Sequence, residues 1–134
     1  MKLEKTTEEL YTLLKIWEDK LDSRFAPDLK NEFVALKELG VRYVVLNLEQ
    51  VNHVDSSGLS AFLIGNRTCG ELNGALVLCS LSKGVSNLIK ISQLDKVLNI
   101  LPTQQEAIEA VFMDEMERQL EEEGDGNVES KEAS

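Results

Sequence analysis

The chain contains few of the residues that build metal centres and disulfide frameworks. Its 134 residues include two cysteines and one histidine, and aromatic side chains make up 5% of the composition. Because His53 is the only histidine and the cysteines have no zinc-ligand spacing, we expect no metal and no other cofactor. Cys69 and Cys79 fall on a predicted helix and a predicted strand, which indicates two small buried side chains rather than a disulfide.

Basic charge and long apolar runs are also scarce. Lysine and arginine total 14 against 24 aspartate and glutamate residues, which gives a formal net charge of −10. This balance lacks the basic surface that direct nucleic-acid binding requires, and an anionic membrane surface would repel it. No run reaches the roughly 18 apolar residues of a membrane span, and residues 1–5 lead into polar sequence rather than a signal peptide. We therefore expect no membrane insertion and a cytoplasmic location.

The chain does contain a regular alternation of short apolar runs and amphipathic stretches. Its length and its 43% hydrophobic content allow one domain with one main core, built from Leu, Val and Ile because rings are few. The alternation predicts an α/β domain with a four- to five-stranded mixed sheet and about four helices packed mainly on one face. The predicted strands lie at residues 2–7, 10–17, 43–48, 75–80 and 98–101, and the predicted helices at about 25–39, 57–72, 82–91 and 102–112.

The C-terminal residues differ in composition from the rest of the chain. We expect one domain over residues 1–113 and an acidic extension over residues 114–134. The glutamate-rich stretch 115–123 is predicted to prolong the last helix, and the glycines that follow are predicted to end it. Residues 124–134 have almost no apolar content, which predicts disorder and favours a solubilising role over specific docking.

The most informative stretch is residues 44–59, where an apolar strand runs through a polar turn into an amphipathic helix. Asp55, Ser56 and Ser57 are all residue types that cap helix N-termini. The free N–H groups and the dipole at that end of a helix also accommodate an anion, so a serine here is suited to receive and hold a phosphate. On the residues alone a simple cap explains the motif, and a phosphate-accepting serine is the alternative.

The same stretch resembles the signature of the STAS domain, the family named for sulphate transporters and anti-sigma-factor antagonists. Residues 44–48 (VVLNL) and 51–59 (VNHVDSSGL) match the family's buried strand and the motif that leads into its helix. The resemblance extends back to residues 20–29, similar to the family's entry to its first helix, and forward through residues 74–79 to about Phe112. It covers most of the chain, and the sequence Asp-Ser-Ser-Gly-Leu is a specific motif.

The resemblance implies a regulator that is not an enzyme. In partner-switching members of the family the serine directly after the aspartate is the phosphoacceptor, and that serine is Ser56 here. The unphosphorylated form would bind an anti-sigma factor or serine kinase, phosphorylation would release it, and a phosphatase would act on the phosphorylated form. We expect a monomer or weak dimer. The partner-binding surface is expected to contain Asp22, Ser23, Asp55, Ser57, Gly58 and Leu59.

These surface residues have separate expected roles. Asp22 and Ser23 are N-cap types ahead of the first helix, and the resemblance implies that their turn lies beside the phosphoacceptor loop. Ser57 is expected to cap the following helix through its hydroxyl, with Asp55 as an added acceptor that the helix dipole favours. Gly58 is expected to let backbones approach closely at the first turn of the helix, because a Cβ there would project into the docking surface.

Asp19 departs from the family pattern, which often has glycine at this position, and its charge leaves the identity of the partner open. Two other functions remain alternatives. One is a STAS subunit that binds a ligand or accompanies a transporter and is never phosphorylated. The other is a small hydrolase with Ser56 as nucleophile, for which the chain lacks the glycine spacing of a nucleophile elbow and a group to orient His53.

Overall fold

The computed structural model describes the backbone of residues 1–133 and the side chains of residues 1–123. Strands and helices alternate along this part of the chain. Their bounds are β1 (Leu3–Thr7), β2 (Thr12–Ile16), β3 (Lys20–Leu21), α1 (Ala26–Glu38), β4 (Tyr43–Asn47), β5 (His53–Val54), α2 (Ser56–Glu71), β6 (Ala75–Cys79), α3 (Lys83–Ile91), a 3-10 turn (Leu94–Lys96), β7 (Asn99–Leu101) and α4 (Gln104–Ala133).

Five of the strands form one mixed sheet in the order β1-β2-β4-β6-β7. β1 runs antiparallel to β2, while the β2–β4, β4–β6 and β6–β7 pairs are parallel. The central strand β4 is buried along its whole length, which explains why its sequence is a nearly continuous apolar run rather than an alternating one. The predicted α/β class and the predicted mixed sheet are confirmed.

β3 and β5 form a separate two-stranded parallel sheet that the sequence pattern does not predict. Lys20 lies opposite His53, and Leu21 lies opposite Val54. Because each strand is only two residues long, neither shows the alternation from which a strand is recognised. The small sheet ends where α2 begins, so it determines which parts of the chain surround the start of that helix.

The main sheet separates two layers of helices. On one face, alternate residues of β4 join side chains from α1, α2 and α3 in the larger core. On the other face, the remaining residues of β4 pack against α4 alone, so the helices lie mainly on one face as predicted. The larger core includes Phe33, Val44, Leu46, Phe62 and Ile89, and the smaller core includes Tyr43, Val45, Ala107 and Val111.

Both cysteines are buried and unpaired, Cys69 in α2 and Cys79 in β6, as predicted. Burial raises the pKa of the Cys69 thiol to about 12 and also raises the pKa of Cys79. The described residues contain no cluster of three or more side chains able to hold a metal ion. None of the described helices is both long enough and apolar enough to cross a bilayer.

Polar contacts attach α4 to its face of the sheet. The Tyr43 hydroxyl and the Arg118 Nε both donate to the Asp114 carboxylate, each at 2.7 Å, and Arg42 pairs with Glu115. Burial opposes ionisation of Asp114, yet the two hydrogen bonds outweigh it and lower the pKa of that carboxyl. Burial and the bond to Asp114 raise the pKa of Tyr43 to about 12. The first four turns of α4 are therefore held by charge-assisted bonds as well as by apolar packing.

The acidic extension is continuous with α4. Residues 114–123 belong to that helix, and Arg118 within them donates to the Gly74 carbonyl at 3.3 Å. The glycines after residue 123 do not end the helix, contrary to the prediction, since α4 runs to Ala133 and glycine only weakens a helix. The expected disorder of residues 124–134 and their solubilising role concern a stretch whose side chains lie outside the described residues, so they stay predictions. The division of the chain at residue 113 is likewise a prediction.

Two glycines of α2 give a matched test of the helix packing. A Cβ added at Gly65 would lie 2.6 Å from the ring of Phe33 and 2.9 Å from Leu76, whereas one added at Gly70 meets nothing within 4 Å. Gly65→Ala should lower the free energy of unfolding by about 1–3 kcal/mol through overpacking. Gly70→Ala should leave it unchanged or raise it by up to about 1 kcal/mol through helix propensity. Urea unfolding measures both, and equal effects would contradict the packing described here.

Candidate functional site

The predicted strand, turn and helix of residues 44–59 are present in the structure. β4 ends at Asn47, a short loop follows, and β5 leads through Asp55 into α2. The loop is held against the sheet, since the Leu48 N–H donates to the Cys79 carbonyl at 3.1 Å. It lies at the carboxyl end of the parallel strands, the edge at which open α/β sheets carry their binding sites.

Asp55 is the residue that caps α2. Its backbone is extended, and its carboxylate accepts a hydrogen bond from the Gly58 N–H at 3.1 Å. The expectation that Ser57 caps this helix is therefore wrong. The Asp55 side chain already takes the N–H that a cap satisfies, so α2 begins one residue earlier than predicted, at Ser56.

Neither serine of the motif caps the helix. Ser56 is exposed and Ser57 is half-buried. Within residues 1–123 neither hydroxyl forms a hydrogen bond with another residue, and the cap bond runs from the Gly58 N–H to Asp55 instead. The Ser56 hydroxyl is therefore open to solvent at the first position of a helix, where the helix dipole favours a negative group.

The Asp22 segment lies beside this serine loop. The β3–β5 pairing brings the two segments together, and the Asp55 N–H donates to the Leu21 carbonyl at 3.4 Å. Asp22 and Asp55 line one shallow groove together with Lys20 and residues of β5. The neighbourhood that the resemblance implies is thus present, while the binding roles of these residues stay predictions.

Asp22 does not cap α1, contrary to expectation. The residue at the cap position is Phe25, which makes no side-chain cap bond. The Asp22 carbonyl instead accepts the N–H groups of Phe25 and Ala26, and its carboxylate turns to Arg24. The ion pair is 3.0 Å long, and the hydrogen bonds from Arg24 lower the pKa of Asp22. Ser23 is exposed between them.

Gly58 is required by the interior rather than by the surface. The residue is buried, and an added Cβ would lie 2.6 Å from Val54 Cγ1 and 2.7 Å from the Leu21 carbonyl oxygen. The expected close approach is present, but the Cβ would meet β3 and β5 and would not project into a docking surface. Leu59, the next residue, is half-buried and packs against the larger core.

Asp19 and Asn52 bond the loop between β4 and β5 to the segment that precedes β3. The Asn52 side-chain amide donates to the Asp19 carboxylate at 2.7 Å, and the N–H groups of Asn52 and His53 both donate to the Asp19 carbonyl. The aspartate that departs from the family pattern is therefore bonded to the loop that leads to Ser56. Sequence reasoning missed Asn52 and Arg24 as site residues, because the partner that each one bonds to is set by the fold.

The structure is a small α/β domain in which an accessible serine, Ser56, begins a helix. The turn that contains Asp22 lies beside this serine. A family model of the STAS domain matches residues 4–107. The chain belongs to the STAS domain family, as the resemblance of its motif predicts.

Named relatives are similar over most of the domain. The candidate anti-sigma factor antagonist BtrV of Bordetella bronchiseptica is 33% identical over 94 residues, which are 69% of this chain and 78% of BtrV. The anti-sigma-B factor antagonist of Staphylococcus aureus is 24% identical over 100 residues, 75% of this chain and 92% of that protein.

Solved structures share the fold. Unphosphorylated SpoIIAA matches with a TM-score of 0.70 at 20% identity, covering 82% of this chain and 96% of its own. Phosphorylated SpoIIAA of Bacillus matches with a TM-score of 0.64 at 19% identity, covering 82% of this chain and 99% of its own. At these identities the likeness shows the fold alone.

The capping role of Asp55 can be tested against its neighbour Ser57. Asp55→Ala removes the acceptor for the Gly58 N–H and should lower the free energy of unfolding by about 1 kcal/mol, within a range of roughly 0.5–2 kcal/mol. Asp55→Asn keeps an acceptor and should unfold near wild type. Ser57→Ala is the control and should change stability little, because its hydroxyl makes no cap bond. Urea unfolding compares the three, and a larger loss in Ser57→Ala than in Asp55→Ala would contradict the assignment.

Proposed function

We propose that the chain is a partner-switching regulator of the anti-sigma-factor antagonist type. Unphosphorylated, it binds an anti-sigma factor or serine kinase, and phosphorylation of Ser56 releases that partner. The observation that carries the proposal is the exposed Ser56 hydroxyl, free of hydrogen bonds to the described residues because Asp55 caps the helix. The names of the relatives support the same class of function.

The proposed switch acts through charge at a contact surface. A phosphate adds about −1.5 to −2 charge and a hydrated group. Asp55 is adjacent to Ser56 in the chain, and Asp22 lines a groove together with Asp55. The cation of Arg24 is already paired with Asp22. In the free chain the helix start and the solvent tolerate the phosphate. Under a docked partner the same charge would be desolvated among carboxylates, which is costly.

The proposed docking surface consists of residues that surround Ser56. Asp22, Ser23 and Asp55 supply polar groups, and Leu59 supplies apolar area beside them. Gly58 acts indirectly, because it allows α2 to lie close to Leu21 and Val54. Ser57 is half-buried at the edge of this surface.

The proposal includes no catalysis by this chain. A serine nucleophile needs a base that takes its proton and a third group that orients the base. Within residues 1–123 no side chain accepts a hydrogen bond from Ser56, and His53 has no side-chain partner, so the arrangement gives the hydrolase alternative little support. We further propose a cytoplasmic protein, monomeric or weakly dimeric, that a phosphatase returns to its binding form.

The site of phosphorylation is the first test. The chain is incubated with ATP and an extract of its own source cells, and the product is digested with trypsin. Cleavage at the flanking arginines gives one peptide, residues 43–67, that contains Ser56, Ser57 and Ser60. Fragment ions should place the phosphate on Ser56, because its hydroxyl is the exposed one. Ser56→Ala should lose the phosphate and Ser57→Ala should keep it, whereas modification only at Ser57 or Ser60 would contradict the assignment.

The effect of charge on binding is the second test. The protein captured by the wild-type chain from the same extract is identified, purified and titrated calorimetrically against Ser56→Ala and Ser56→Asp. Burying an unpaired charge at an interface commonly costs about 2–5 kcal/mol, so Ser56→Asp should bind roughly thirty-fold to several-thousand-fold more weakly. Ser56→Ala should bind like wild type.

Gln105→Glu is the matched control for that titration. It adds one negative charge in the first turn of α4, on the opposite face of the sheet, and should not weaken binding. Equal affinities for Ser56→Ala and Ser56→Asp would remove the switch mechanism. Ester hydrolysis that Ser56→Ala abolishes would favour the enzyme instead.

A further inference from the structure

Helix α4 carries an apolar stripe that faces away from the sheet. Phe112, Met113, Met116 and Leu120 each expose between 50% and 62% of their surface. Met116 lies three or four residues from each of the other three, which puts all four on one helix face, whereas Val111 is fully buried against the sheet. Large apolar side chains gathered on one exposed surface are typical of a binding site rather than of scattered exposure.

The β1–β2 turn and two residues of the stripe, Phe112 and Met116, form a groove. Leu10 and Tyr11 of the turn face Phe112 and Met116 across an open space of about 550 Å³. The rings of Tyr11 and Phe112 meet edge to face, with centroids 6.2 Å apart. Because the bonds of Asp114 and its neighbours hold α4 against the sheet, the groove is preformed.

Carboxylates surround the groove. Glu8 and Glu9 line it from the turn, and Glu115 lines it from the helix. Glu115 is paired with Arg42, but Glu8 and Glu9 form no ion pair with any of residues 1–123. Burial, together with the charge of Glu8, raises the pKa of Tyr11, in agreement with a negative potential at the groove. The apolar surface is therefore accompanied by unpaired negative charge.

We propose that this groove binds a basic amphipathic helix of a protein partner. Apolar side chains of that helix would pack between Tyr11, Phe112 and Met116, and its lysines or arginines would meet Glu8 and Glu9. Aromatic residues and Met are enriched at interfaces, and a helix laid in an apolar groove is a recurrent mode of recognition. A second copy of this chain is disfavoured, because it would bring the same carboxylates and a net charge of −10 to the groove.

The groove is distant from the Ser56 surface in the fold. α4 packs on the face of the sheet opposite α1, α2 and α3. The β1–β2 turn precedes β2, at the amino end of the parallel strands, while Ser56 follows their carboxyl end. Occupation of the groove therefore leaves the Ser56 surface free, and the two sites can be tested separately.

The experiment uses the full chain and a synthetic helix as probe. The probe is a fluorescein-labelled peptide of about 18 residues, with leucine at helical spacing and lysine elsewhere, titrated by fluorescence anisotropy. We expect saturable binding that weakens as salt is added, and no binding of the same peptide with glutamate in place of lysine. The double variant Phe112→Gln, Met116→Gln should bind at least about tenfold more weakly, and Glu8→Gln, Glu9→Gln should also weaken binding.

Matched controls separate a specific groove from general attraction to an acidic protein. Ile91→Gln removes an apolar side chain that is 79% exposed at the end of α3 and leaves the net charge unchanged. This variant should bind the peptide like wild type. Circular dichroism checks that each variant is folded, as expected for changes at exposed positions.

Three results would overturn the proposal. The first is the absence of saturable binding to the lysine peptide at low salt. The second is equal binding by Ile91→Gln and by the Phe112 and Met116 double variant, which would mean non-specific charge attraction. The third is a dimer in sedimentation velocity that the double variant abolishes, which would make a second copy of the chain the occupant.

Discussion

The site depends on the close approach of two short segments, residues 20–21 and 53–54. Their parallel pairing is only two residues long, so it needs support from its surroundings. Gly58 permits the pairing, because any Cβ at this position would collide with both segments. The hydrogen bonds from the Asn52 and His53 N–H groups to the Asp19 carbonyl stabilise it. Without this contact the acidic turn after β3 and the serine loop before α2 would not share a surface. A glycine in the interior thus determines which polar side chains share this surface.

Asp55 and Ser56 have separate roles at the start of α2, since Asp55 caps the helix and Ser56 exposes its hydroxyl. A free helix start needs a side-chain acceptor for its N–H groups, and serine commonly provides it. Here the Asp55 carboxylate satisfies the Gly58 N–H, so the adjacent hydroxyl is not needed for stability. A serine that is both exposed and unnecessary to the fold can be modified without unfolding the helix it begins. This separation of tasks makes a reversible covalent switch at Ser56 physically reasonable.

The fold was more predictable from the sequence than the site. Strands and helices long enough to show a period were predicted within a few residues, except that α4 continues past the glycines predicted to end it. The motif at residues 55–59 identified the family. β3 and β5 were missed because two residues have no period, and the roles of Asp22 and Ser57 were wrong because a cap-forming residue type does not reveal which N–H it will meet. Arg24 turns Asp22 away from its helix, and Asp55 takes the bond expected of Ser57. Which of several local partners a polar side chain bonds to depends on the backbone conformation, and a single sequence does not show that conformation.

The charge of the chain constrains how the proposed switch can act. The protein already has a net charge of −10, so a phosphate of about −1.5 to −2 changes its long-range field only modestly. At physiological ionic strength that field is screened within about 8 Å in any case. Release of a partner therefore has to arise at the contact itself, where the phosphate and Asp55 would lose water together. The same reasoning separates the two surfaces: phosphate at the carboxyl end of the strands is screened from Glu8 and Glu9 at the amino end, so a partner in the α4 groove would stay bound while the partner at Ser56 is released.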